Sequence, residues 1–222
     1  MIAIILTARS SWAKLEPVCR ALQARHADFG VIACGSALLE RYGRVIDVVR
    51  SQGYPVVAEC YSTYEGSSRL TSAKETGALL TELSSVLLAL PATRVVVCAD
   101  RHEVLAAAQA ASYLHLPLLH LQGGERSGSI DDKIRDAVTH LADEHAVSTT
   151  VARYRVYALT DDWGQIHQTG CPSIDIAREA IDAPPVTSDE LGGVGPRLDL
   201  QRPFLVVLQH PVTQESDDAA DQ

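Results

Sequence analysis

Short, continuously apolar runs alternate with longer amphipathic ones along most of the chain. IAIILT at 2–7 is followed by SWAKLEPVCRALQARH, FGVIAC at 29–34 by LLERYGRVIDVVRS, and PVVAEC at 55–60, after a polar loop, by SSRLTSAKETGALLTELSSVLLAL. RVVVCA at 94–99 leads into EVLAAAQAASYL and LPLLHL at 116–121 into IDDKIRDAVTHLAD. HAVST at 145–149 precedes TVARYRVYAL, and IHQTG at 166–170 precedes a helix that starts near Ser173. The short runs lack period-two alternation, the pattern of strands buried on both faces. Strands alternating with helices in this way predict an α/β fold, a doubly wound parallel sheet of the Rossmann-like kind. In the helix after 130, Ile130, Ile134, Val138 and Leu141 recur at spacings of three and four. They form one buried stripe, and Asp131, Asp132, Lys133, Arg135 and Asp136 fall off it.

The rhythm breaks at APPVTSDELGGVGPRLDLQRP, with its four prolines and three glycines. Residues 1–182 are therefore expected to form one domain and 183–203 a linker. FLVVLQHPVT then reads as a new strand and loop, so 204–222 is expected to be the start of a truncated second domain. The alternative is a last strand added to the first sheet.

Composition narrows the classes of partner. With 46% hydrophobic and only 5% aromatic residues, the core must be mainly aliphatic. A formal net charge of −9 argues against a nucleic-acid surface, which needs a basic face, but leaves room for an anion in a cleft lined by local arginines. Cys19, Cys34, Cys60, Cys98 and Cys171 are an odd, widely spaced set with no Cys-x-x-Cys pair, which fits a reducing cytoplasm. The apolar N-terminus is too short for a signal peptide, and no run reaches bilayer-spanning length. Neither a membrane nor a nucleic-acid partner is expected, whereas a homo-oligomer is.

In open α/β sheets, ligands bind beyond the carboxyl ends of the strands, so the residues just after each run are the informative ones. These are Arg9, Asp100 and Arg101, the stretch Gln122–Ser129, and His210. Arg9 lies at a helix N-terminus, a favourable place for phosphate, and is equally readable as a surface arginine. Taken alone, Asp100 reads more readily as the N-cap of the next helix than as a site residue. The GGE at 123–125 allows close backbone approach, and the acids from Glu125 to Asp132 read equally as a solvated turn. No G-x-G-x-x-G follows the first strand and no P-loop is present. The eight histidines show no metal-ligand spacing.

Together these stretches are more specific than singly. LTARSSWAKLEPV, CADRHEVLAAAQAASYLHLPLLHLQGGERSGSIDDKIRDAVTHLADEHAVST, QTGCPSID and LQHPVT, in that order, resemble the hydrolysing UDP-N-acetylglucosamine 2-epimerases. Those enzymes make free N-acetylmannosamine and UDP on the way to sialic acids, and close relatives act on other UDP-2-acetamido sugars. The resemblance implies the first half of a two-domain, glycosyltransferase-B-like fold with its site between the domains. It implies catalytic roles for Asp100, Glu125, Asp131 and His210, and substrate contacts for Arg9, Arg101 and Arg135. The chain departs from the family at Ser11 and Ala13, where an acid and a serine are usual, and at Asp136, where histidine follows the helix arginine. The family's second domain, which holds most uridine contacts, is expected to be missing, so that this fragment alone would be inactive.

The implied chemistry explains why carboxylates gather past a buried strand. The proton on C2 of such a sugar is a poor acid until departure of UDP leaves an oxocarbenium-like C1. A carboxylate then takes it, a glycal forms, and water adds back. An acid and a base with separated proton affinities serve that sequence, and no metal or redox cofactor is required. Arg9 and His210 would stabilise the departing diphosphate. Two alternatives stand beside this reading: a UDP-sugar-dependent glycosyltransferase and a non-catalytic UDP-sugar-binding fragment. Asp100 and Glu125 are both expected to be pocket residues whose replacement changes stability little.

Overall fold

The computed structural model describes residues 1–66, 68–191, 194–200 and 202–208. Seven strands form one parallel sheet: β1 (Ile2–Leu6), β2 (Phe29–Cys34), β3 (Val56–Cys60), β4 (Arg94–Cys98), β5 (Leu118–Leu121), β6 (Glu144–Val147) and β7 (Ile166–Gln168). Their order is β3-β2-β1-β4-β5-β6-β7. The chain builds outward from β1 to β3, then returns to the other side of β1 with β4. The strand order therefore reverses between β1 and β4, and loops there diverge to opposite faces.

Helices α1 (Arg9–Ala24), α2 (Val45–Ser51), α3 (Arg69–Ala89), α4 (His102–Tyr113), α5 (Ile130–Leu141), α6 (Thr150–Thr160) and α7 (Ser173–Ile181) connect and follow the strands. Successive residues of β1 feed different cores. Ala3 and Ile5 pack with Leu79, Leu83, Leu87 and Val138 from α3 and α5, whereas Ile4 and Leu6 pack with Trp12, Leu15, Ile46 and Val49 from α1 and α2. Both faces of the sheet are thus covered, which accounts for the continuous apolar runs. The alanines of α4 at 106, 107, 108, 110 and 111 are all buried, and their small side chains let this helix lie tight against both the sheet and α3.

Local signals set several boundaries. Ser68 caps α3: its hydroxyl accepts from the Thr71 amide at 3.1 Å, and the Thr71 hydroxyl accepts from the Ser68 amide at 3.0 Å. Pro17 inside α1 has no N–H to offer the Ala13 carbonyl, and the Ser173 hydroxyl at the start of α7 donates to that carbonyl instead, at 3.2 Å. The single helix expected over 38–51 is not formed. Two 3₁₀ turns, Gly35–Leu38 and Glu40–Tyr42, precede α2, and the break falls where Gly43 and Arg44 adopt left-handed φ of 79° and 34°.

By contact density the chain divides after Ala177. In the unit beginning at Arg178, α8 (Ser188–Leu191) is one turn within the stretch expected to be a linker, closed by the Glu190 carboxylate on the Thr187 amide (2.7 Å) and hydroxyl (2.8 Å). The strand expected from Phe204 onward is absent over Phe204–Leu208, where every side chain is exposed. A strand exists through its ladder, and no described strand pairs with this segment. The remainder of FLVVLQHPVT, with His210, lies outside the described residues. Among the described residues, no helix is long and apolar enough to cross a membrane.

Candidate active site

The carboxyl ends of β1, β4 and β5 open at the strand-order reversal. Arg9 leaves β1 as the first residue of α1 and is exposed, and the preceding Ala8 gives the helix no side-chain cap. The amides of that first turn are therefore free of a capping side chain, beside an arginine. Asp100 and Arg101 follow β4, and Gln122–Ser129 follow β5.

Two strand ends turn sharply to present these loops. Ala99 and Gln122 adopt φ of 68° and 64°, the left-handed region that residues bearing a Cβ rarely enter. Both are pinned. The Ala99 amide donates to the Leu121 carbonyl at 3.0 Å and the Gln122 amide to the Ala146 carbonyl at 2.8 Å, while Gln122 Nε2 donates to Cys171 Sγ at 3.0 Å. Gly124 is held at φ 78° against α6, where a Cβ would lie 2.3 Å from the Ala152 carbonyl oxygen. The second glycine of the GGE motif is thus required by close approach.

Arg135, on α5, ties the site together. Its buried guanidinium donates through Nη2 to the Asp100 carboxylate, and through Nη1 to Asp132 Oδ1 and to the Glu125 carbonyl, both at 2.7 Å. Asp132 in turn accepts from the Ser127 amide (2.8 Å), the Gly128 amide (3.0 Å) and the Ser127 hydroxyl (3.1 Å). Hydrogen bonds from the Ser127 and Gly128 amides and the charge of Arg126 hold its carboxyl below the usual carboxylate range, against a smaller opposing effect of burial. Glu125 is half-buried, and its carboxylate has no hydrogen-bond partner among the described residues.

A second cluster borders the first. Arg101 grips the buried Glu103 with two bonds, Nε to Oε2 at 3.0 Å and Nη2 to Oε1 at 2.9 Å. His102 joins Glu75 (Nε2 to Oε2, 3.1 Å) and Glu103 (Nδ1 to Oε2, 3.4 Å). Burial alone would lower Arg101, but the charge and hydrogen bonds of Glu103 and then the charge of Asp131 raise it above the ordinary arginine range. Asp131 therefore acts on Arg101, while the adjacent Asp132 is committed to Arg135 and the loop.

The structure thus gathers Asp100, Arg101, Glu125, Asp131 and Arg135 around the ends of β4 and β5 and the N-terminus of α5. Arg9 stands at the end of the neighbouring β1. Sequence reasoning missed Asp132 as the loop anchor, Glu103 as the partner of Arg101, and His120. The last carried a signal, a lone histidine inside the apolar run LPLLHL.

The sequence model of the family described as UDP-N-acetylglucosamine 2-epimerase matches residues 20–222. The UDP-N,N'-diacetylbacillosamine 2-epimerase (hydrolyzing) of Legionella pneumophila is 27% identical over 211 residues, 94% of this chain and 55% of that protein. The UDP-N-acetylglucosamine 2-epimerase of Neisseria meningitidis is 28% identical over 181 residues, 79% of this chain and 46% of that one. The solved UDP-GlcNAc 2-epimerase of Methanocaldococcus jannaschii superposes with a TM-score of 0.70 at 23% identity, over 82% of this chain and 48% of that one. The chain spans about half the length of the curated relatives it matches. The superposition shows the doubly wound sheet to be the Rossmann-like half of a glycosyltransferase-B-like fold.

Proposed function

The chain belongs to the UDP-N-acetylglucosamine 2-epimerase family, and on that premise we propose that it serves in the hydrolysing conversion of a UDP-2-acetamido sugar to the free 2-epimer and UDP. The observation that carries this reading is the grouping of Asp100, Glu125 and Asp131 around Arg135 and Arg101 at one strand-order reversal. The name of the Legionella relative, a hydrolysing 2-epimerase of a UDP-2-acetamido sugar, points to the same reaction class.

The atoms balance as follows. The C1–O bond breaks and UDP leaves with the electron pair. The C2 proton passes to a carboxylate, giving a glycal with its double bond between C1 and C2. Water then adds, hydroxyl at C1 and a proton at C2 from the opposite face, so that one water is consumed for each UDP released. Removing and returning a proton on opposite faces calls for two acid–base groups, which we draw from Asp100, Glu125 and Asp131. Glu125 is suited to such work because, among the described residues, no hydrogen-bonding group occupies its carboxylate. Arg9, at the uncapped start of α1, and Arg101 supply positive charge where the diphosphate develops negative charge. His210 is included in this proposal from sequence alone.

The same reading assigns the protein to a reducing cytoplasm, which is supported by its five cysteines being free thiols, four of them buried. Its test is an assay of the protein as expressed from its own gene, with UDP-N-acetylglucosamine and UDP-N,N'-diacetylbacillosamine and no acceptor. Equal release of UDP and of free 2-epimer supports it. Release of UDP only when a sugar acceptor is added would mean glycosyl transfer instead.

A further inference from the structure

Behind the turn that carries Asp100 lies a buried pair of polar side chains, His120 and Thr139. His120 lies within β5, fully buried, and its Nε2 donates to the Ala99 carbonyl at 2.9 Å. That bond fixes the proton on Nε2, so Nδ1 is the acceptor for the Thr139 hydroxyl at 3.2 Å. Thr139 is also fully buried and stands four residues beyond Arg135 on the same face of α5. One helix therefore reaches the turn after β4 twice: Arg135 takes the Asp100 carboxylate, and Thr139, through the imidazole, takes the carbonyl of the residue before it. Gly123, the first glycine of the GGE motif, leaves the space this relay needs, since a Cβ there would lie 3.1 Å from Thr139 Oγ1 and 3.2 Å from His120 Nδ1.

We infer that His120 and Thr139 are positioning residues for Asp100, holding Ala99 in its left-handed conformation so that the following carboxylate is fixed before substrate arrives. Without the carbonyl bond, only the Ala99 amide on the Leu121 carbonyl would hold this residue against the strain of φ 68°, and relaxation to an ordinary conformation would swing Asp100 off Arg135. The imidazole is suited to a fixed role. Burial pushes it down to about 4, with His145 on the neighbouring strand adding to this and the Ala99 carbonyl opposing it, so it is neutral at neutral pH. The inference rests on the epimerase reading for the meaning of Asp100, but the relay can be tested separately.

The test compares Thr139→Val, which keeps the shape and removes the hydroxyl, with Thr139→Ser, which keeps the hydroxyl, in the protein as expressed from its own gene. At a temperature where both remain folded, Thr139→Val is expected to lower kcat by roughly ten- to a hundredfold with KM within about twofold. Thr139→Ser is expected to restore kcat to within about threefold of the parent. Nitrogen-15 spectra of the parent should show the Nε2–H tautomer of His120 and no titration down to about pH 4. An unchanged kcat in Thr139→Val, a merely lowered melting temperature without loss of kcat, or an Nδ1–H tautomer would overturn the inference while leaving the epimerase reading intact. Failure of the parent to release UDP from any UDP-2-acetamido sugar would instead overturn that reading, and the role of the relay with it.

Discussion

The Arg135 guanidinium closes on the Asp100 carboxylate from a helix 35 residues further along the chain. Because Arg135 is buried, Asp100 is both a candidate acid–base group and half of a structural ion pair. The expectation that Asp100 is a pocket residue of little structural weight is therefore corrected. In Asp100→Asn, turnover should fall by roughly two to four powers of ten, and stability by about 1–3 kcal/mol, since Arg135 keeps Asp132 but loses one charged partner. Steady-state kinetics and thermal melts on the same preparation check both halves.

Glu125 should separate the two effects. Its carboxylate has no partner among the described residues, so Glu125→Gln should lower turnover as strongly as Asp100→Asn while leaving stability within about 0.5 kcal/mol. A variant that melts early would show that Glu125 braces the loop.

Acid should loosen the loop through Asp132. Its folded-state carboxyl is held below its ordinary value of 3.8, so its contribution is complete above that value and is lost as pH falls through the folded one. Asp132→Asn should melt below the parent at neutral pH, and the gap should close as pH drops below 3.8. Melting curves from neutral pH to strongly acid conditions test the sign; a gap that stays constant would exclude this linkage.

The two glycines of the loop after β5 that adopt positive φ should differ. Gly124→Ala forces a Cβ to within 2.3 Å of the Ala152 carbonyl, whereas a Cβ at Gly128 meets nothing within 4 Å. Gly128→Ala should cost about 1–2 kcal/mol for its left-handed backbone alone, and Gly124→Ala clearly more, with the loop pushed off α6. Denaturant titrations of the two variants provide the comparison.

What the sequence made legible follows from periodicity and adjacency. Continuous apolar runs revealed strands covered on both faces, as at Ala3 to Leu6, whose residues feed alternate cores. The rule that sites lie past strand ends placed Arg9, Asp100, Arg101 and Glu125 at one edge of the sheet. Contacts between distant segments were not legible. Asp131 and Asp132 are neighbours of the same type, and only the path of the loop shows that Asp132 is spent on Ser127, Gly128 and Arg135. Hydrophobicity alone also misjudged Phe204–Leu208, because apolar β-formers become a strand only where a ladder is available. The break at Gly43 and Arg44 was hidden because their helix-like flanks keep the apolar spacing of a single helix.

The central claim, that the carboxylates at this edge take a proton from C2 and return one, is tested most directly by running the reaction in deuterated water. The account predicts a free 2-epimer carrying deuterium at C2, seen as loss of that proton signal, with UDP released in equal amount. A free sugar of unchanged configuration that keeps its original hydrogen at C2 would contradict it and leave only hydrolysis.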